Sequence, residues 1–128
     1  MFSVVSRGLG SAATKSVLRR NFASKVVVLS DLDAVEKVTD SSSAAVLYYT
    51  ATWCPPCKVI KPVFHGLSED HEGIVFGQID VDDNQDAAAE ANIRSVPTFA
   101  AWKGGEKVAE FAGADEGQLR DVIAQLED

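Results

Sequence analysis

An α/β fold, a central mixed β-sheet flanked by helices on both faces, is what this chain predicts. Three observations carry that expectation. Short runs of β-branched and aromatic residues alternate with stretches whose apolar residues recur at helical spacing. The early strand-like runs are separated by helical ones, the order that builds parallel crossover units. The last two strand-like runs instead meet across Gly104-Gly105, a pair suited to a tight antiparallel hairpin. The 128 residues suffice for one domain around one core.

The chain opens on a segment of different composition. Its first thirty residues hold Arg7, Lys15, Arg19, Arg20 and Lys25 and no acid, and they are rich in Ser and Ala. Phe2, Val5, Leu9, Ala13 and Val17 fall on one helical face, with Arg20 intruding and Gly8 and Gly10 weakening the helix. That pattern matches an organelle transit peptide, expected to span residues 1–22 and to be removed near Arg19-Arg20-Asn21-Phe22. The domain proper then covers 23–128. A mitochondrial matrix is the expected destination, with a plastid stroma as the alternative. No apolar run reaches secretory or membrane-spanning length. Without residues 1–22, eight basic residues face nineteen acids, a net charge of −11. Such a surface repels nucleic acid and anionic lipid, so neither is an expected partner.

Each element has its own signal. Val26-Val27-Val28-Leu29 reads as the first strand, and Asp31 is placed to cap a short helix carrying Leu32, Val35 and Val38. Asp40-Ser41-Ser42-Ser43 breaks that pattern before a buried strand over Ala44–Thr50. Val59, Ile60, Val63, Phe64 and Leu67 then mark a helix expected to kink near Pro62, where the backbone lacks a donor. Residues 74–81 read as a third strand and Gln85–Ala91 as a short helix. Strands follow over 97–102 and 108–112. Asp115 with Gln118 resembles a capping box for a last helix bearing Leu119, Val122, Ile123 and Leu126.

The chemistry is concentrated in Trp53-Cys54-Pro55-Pro56-Cys57, which contains both cysteines of the chain. A Cys-x-x-Cys between a buried strand and a helix reads as a redox pair. A closed zinc site needs four ligands, and only His65 and His71 remain to supply two of them. Neither histidine is assigned a role. A purely structural disulfide is a poor use of this spacing, because so short a loop hardly constrains the unfolded chain. At a helix start the dipole and free N–H groups favour a thiolate at Cys54. Pro55 and Pro56 carry no N–H, which leaves the Cys57 amide as the nearest donor. The Asp80-Val81-Asp82-Asp83 run lacks calcium-loop spacing and reads as a strand end and helix start.

Beyond that pentad, Ile79-Asp80-Val81-Asp82-Asp83-Asn84-Gln85-Asp86, then Ile93-Arg94-Ser95-Val96-Pro97-Thr98-Phe99, then Gly113-Ala114 and Gln118-Leu119 continue a pattern. In this order and spacing they resemble the thioredoxin family, specifically a small single-domain organellar member, across nearly all of the chain after the presequence. The resemblance implies the thioredoxin fold and a thiol–disulfide oxidoreductase that reduces protein disulfides with Cys54 and Cys57. The cycle would pass through a mixed disulfide, with no cofactor and no metal. It implies a cis bond before Pro97, and a docking surface of Trp53, Val81, Ser95, Val96, Pro97, Gly113 and Ala114. Trp53 and Val81 also suit a core, and Gly113 a turn. Implied partners are disulfide-containing target proteins and a thioredoxin reductase, with the chain acting as a monomer. A glutaredoxin-like or oxidase-like enzyme and a non-catalytic docking subunit are the competing readings. Trp53 and the Ser95–Phe99 segment oppose the first, and retention of both cysteines opposes the second.

Three departures from the family stand out. Pro55-Pro56 replaces the usual Gly-Pro. Tyr48 stands where the family usually buries an acid, and Gln78 stands where that acid often has a lysine partner. Replacing both together avoids an unpaired buried charge, which would cost about 3–5 kcal/mol. Tyr48 is neutral until about pH 10, so no carboxylate is expected to couple to the thiols. Water or the departing substrate thiolate is left to take the proton of Cys57.

Overall fold

The computed structural model of the chain describes residues 24–127. The segment read as a presequence, residues 1–22, lies outside the described residues. The elements are β1 (Val26–Val28), α1 (Leu32–Ser41), β2 (Ala44–Thr50), α2 (Pro55–Asp70), β3 (Val75–Asp80), α3 (Gln85–Glu90), β4 (Thr98–Lys103), β5 (Glu106–Ala112) and α4 (Glu116–Glu127). The strands form one sheet in the order β1-β3-β2-β4-β5. β3 is parallel to β1 and β2, while β4 is antiparallel to β2 and β5. The mixed sheet is therefore as expected.

β2 lies in the middle of the sheet and all seven of its residues are buried. Its side chains alternate between two cores, as a pleated strand requires. Val46 and Tyr48 pack with Ile60, Phe64 and Leu67 of α2 and with Leu119, Val122, Ile123 and Leu126 of α4. Leu47 and Tyr49 pack on the other face with Val35 of α1 and Ala87 of α3. Helices thus cover both faces. Tyr48 stacks on Phe99, with ring centroids 5.0 Å apart and planes 9° apart, and meets Phe64 at 5.0 Å. On the opposite face, a Cβ at Gly77 would come within 2.7 Å of Leu29 Cδ1, so this glycine permits a close approach.

Local chemistry sets the ends of the elements. Asp31 caps α1 by accepting from the Ala34 amide at 2.8 Å. Asn84 caps α3, and its buried side-chain amide also donates to the Leu29 carbonyl at 3.1 Å. Gly104 and Gly105 have φ of 60° and 86°, the conformation a tight hairpin asks for. Asp115 accepts from the Gln118 amide at 3.0 Å. The Gln118 side chain, however, reaches the Asp115 carboxylate rather than completing a reciprocal box.

α1 runs two residues into the expected break, to Ser41. α2 continues through Pro62, near which a kink is expected, from Pro55 to Asp70. Pro62 and Lys58 are both exposed. An exposed helix face tolerates the loss of the Lys58 carbonyl's helical partner better than a buried one.

Candidate active site

Cys54 is the N-cap of α2, with Pro55 and Pro56 at its first positions, where a missing N–H breaks no helical hydrogen bond. The first amide available is that of Cys57, and it donates to Cys54 Sγ at 3.2 Å. Cys54 and Cys57 are joined in a disulfide, with Cα atoms 5.3 Å apart. Position at the helix start suggests an exposed Cys54, but both cysteines are only 2 % exposed. They form a small cluster with Ala51, against which Val81 and Val96 pack. The bond that ties Cys54 to the first turn also draws it beneath the loop before β4.

That loop carries the expected cis bond between Val96 and Pro97. The Val96 carbonyl oxygen lies 3.6 Å from Cys54 Sγ. The Pro97 carbonyl accepts from the Gly113 amide at 2.8 Å, which fastens the end of β5 to the loop. Gly113 has φ of 107°, a conformation that suits glycine. Trp53 is 65 % exposed, so the core alternative for it does not hold. A shallow hollow of about 150 Å³ runs between Trp53, Val81, Ile93, Ser95 and Val96. Ala114 is exposed on the strand-to-helix connection next to Gly113. The seven residues of the expected docking surface come from four separate stretches of chain, before α2, after β3, before β4 and after β5.

Asp82 was not singled out by sequence reasoning, yet its Oδ2 accepts from the Trp53 indole N–H at 2.8 Å. Its position in the acidic stretch after β3 was the only available sign. The bond fixes the ring at the rim of the site.

Tyr48, at the position of the usual acid, donates its hydroxyl to the Cys57 carbonyl at 3.0 Å. Burial raises its pKa, against a smaller lowering by a hydrogen bond with Thr50. Gln78 accepts at Oε1 from His65 Nε2 at 2.9 Å, while His65 Nδ1 meets the Ser24 hydroxyl at 2.8 Å. His71 Nδ1 meets Glu127 Oε2 at 2.6 Å, so both histidines are satisfied by neighbours. Among the described residues, no group of three or more His, Cys, Asp and Glu gathers to hold a metal ion. No helix among them is long and apolar enough to cross a membrane.

Behind the disulfide, a cavity of about 300 Å³ is lined by Cys57, Lys58 and Lys61 of α2, by Thr50 of β2 and by Gln78 and Asp80 of β3. The arrangement sets Cys54 against the Val96–Pro97 loop and backs Cys57 with a cavity whose lining includes two lysines and a carboxylate. A dithiol so placed can accept and release a pair of electrons by disulfide exchange.

Comparison with known proteins agrees with this geometry. The family model described as Thioredoxin matches residues 25–125. Thioredoxin of Ovis aries is 51 % identical over 81 residues, covering 63 % of this chain and 77 % of that protein. Thioredoxin of Oryctolagus cuniculus is 46 % identical over 95 residues, covering 73 % of this chain and 90 % of that one. Among solved structures, Malassezia sympodialis thioredoxin superimposes with a TM-score of 0.75 at 37 % identity, covering 79 % of this chain and 90 % of its own. Mitochondrial thioredoxin 3 of Saccharomyces cerevisiae also gives 0.75, at 28 % identity, covering 78 % and 94 %. The disulfide at the head of α2 is accordingly the redox centre, with no further cofactor, and this chain belongs to the thioredoxin family as a thiol–disulfide oxidoreductase that reduces protein disulfides through Cys54 and Cys57.

Proposed function

We propose that the protein works in the mitochondrial matrix, with Cys54 as the attacking cysteine and Cys57 as the resolving one. The observation that carries this division is the 3.6 Å approach of Cys54 Sγ to the Val96 carbonyl. A target chain laid along the Val96 backbone would meet Cys54 first. Trp53, Val81, Ser95, Val96, Pro97, Gly113 and Ala114 form the docking surface in this reading. In the reduced protein the Cys57 amide and the α2 dipole favour the Cys54 thiolate. That thiolate attacks a target disulfide, one target sulfur leaves, and a mixed disulfide remains. Cys57 loses its proton, attacks Cys54 Sγ and releases the reduced target. A thioredoxin reductase then returns two electrons to the pair, and the chain does this as a monomer.

The acid-free start of the chain supports the organelle, as does its likeness to a yeast mitochondrial thioredoxin. A neighbouring solved structure concerns thiol resolution of a yeast mitochondrial 1-Cys peroxiredoxin through glutathione/thioredoxin systems. Peroxidases of that kind fit as targets here. Insulin reduction with either thioredoxin reductase or glutathione as electron source tests the reading. Turnover is expected with the reductase. Turnover with glutathione alone would move the protein to the glutaredoxin-like class.

A further inference from the structure

In a thioredoxin with no acid at position 48, the proton of Cys57 needs another acceptor. Tyr48 does not serve, since its hydroxyl is engaged as a donor to the Cys57 carbonyl and burial raises its pKa. Gln78 has no basic atom, and its Oε1 is taken by His65. The cavity behind the disulfide holds one carboxylate, Asp80, at the end of β3 and paired in register with Thr50 of β2. We propose that Asp80 is the proton acceptor for Cys57, reached through the cavity that both residues line. This rests on Cys57 being the resolving cysteine.

Several features make the arrangement chemically suited. At about 300 Å³ the cavity is roomy enough for water, and Thr50, Lys58, Lys61 and Gln78 are among the polar residues that line it. Asp80 Oδ1 accepts from the amides of Asp82 and Asp83 at 2.8 and 3.2 Å, which holds the carboxylate in place. Neither of these bonds uses Oδ2. Lys58 and Lys61 of α2 line the same space, and their positive charge favours a thiolate at Cys57. The other charged or titratable groups nearby are Tyr48, His65 behind Gln78, and the carboxylates of Asp82 and Asp83.

In the mixed disulfide, the Cys57 thiol passes its proton through water to Asp80. The Cys57 thiolate then forms the bond to Cys54 Sγ as the Cys54–target bond breaks. The electron pair of that bond leaves on the target sulfur, and the proton held at Asp80 returns to it. No outside oxidant or reductant is needed. The expectation drawn from Tyr48 and Gln78, that no carboxylate couples to the thiols, is the opposite outcome.

Asp80→Asn is the informative variant, because Asn keeps the Oδ1 acceptor for the two amides and loses the base. Reduced protein mixed with dithiobis-nitrobenzoate releases one nitrothiobenzoate as Cys54 is captured and a second as Cys57 resolves it. This leaving group departs without protonation, so the second phase reports loss of the Cys57 proton. In Asp80→Asn the first phase should be unchanged. The second should slow at least about tenfold near pH 6 and recover towards wild type near pH 9, above the ordinary thiol range. An unaltered second phase at both pH values overturns the proposal. So does equal slowing at both, which would mark a merely structural role. A second release that survives Cys57→Ser overturns the assignment of Cys57 itself, and the proposal with it.

Discussion

Around the disulfide, the Cys57 amide donates to Cys54 Sγ because Pro55 and Pro56 bring no N–H to the first turn, and only Cys54 meets the Val96 carbonyl. Cys54→Ser should therefore reduce insulin-disulfide turnover to the uncatalysed background. Cys57→Ser should instead accumulate a mixed disulfide between Cys54 and its target, seen as an adduct by mass spectrometry. Trapping through Cys57 in Cys54→Ser would reverse the two roles. The pentad makes the pair legible in the sequence, because helix-start chemistry is local. The 2 % exposure of Cys54 was not legible, since it depends on a loop more than forty residues further along.

Asn84 stands at the junction of three elements. Its Oδ1 accepts from the Ala87 amide at 3.2 Å to cap α3, and its Nδ2 donates to the carbonyl at the end of β1. The residue is 3 % exposed, so water does not readily replace either bond. Asn84→Ala should cost about 2–3 kcal/mol, counting the lost bonds and the stranded Leu29 carbonyl. Chemical denaturation measures this, and a change under about 0.5 kcal/mol would contradict it. Element boundaries were otherwise readable to within a few residues from caps and periodicity. Pro62 lies inside α2, as the helical spacing on both sides of it implied. A proline is better tolerated on an exposed helix face, and Lys58 and Pro62 are both exposed.

Across the whole molecule, the two tyrosines of β2 tie stability to alkaline pH. Burial first, and the Glu110 carboxylate second, push the Tyr49 pKa up to about 12, and burial raises that of Tyr48. In the unfolded chain both ionise near the ordinary value of 10.0. The unfolded state therefore sheds its protons first as pH rises. The contribution to stability is intact below about pH 10 and is lost as pH climbs towards 12. The urea midpoint should fall across that window, and Tyr49→Phe should flatten part of the fall. A midpoint constant from pH 9 to pH 12, against the ordinary tyrosine value of about 10, would contradict the burial argument. A separate expectation concerns the chain start. Protein from its native source should begin within a few residues of Phe22 and fractionate with the mitochondrial matrix. N-terminal sequencing checks this, and intact Met1 in a cytosolic fraction would refute it.

Strand alternation in Ala44–Thr50, helical spacing after Cys57 and the glycine pair at 104–105 determined the architecture, because each is a periodicity or turn preference held within a few neighbouring residues. The same locality made the cysteine pair readable. What only the tertiary structure decided are the meetings across distant elements. The Tyr48 hydroxyl meets the Cys57 carbonyl, the Trp53 indole meets Asp82, and Asp80 faces the cavity behind Cys57. The last of these rests on the parallel register of β2 on β3, which sets Thr50 beside Asp80. Register depends on how all the strands and helices pack together, and no single segment of the chain carries it.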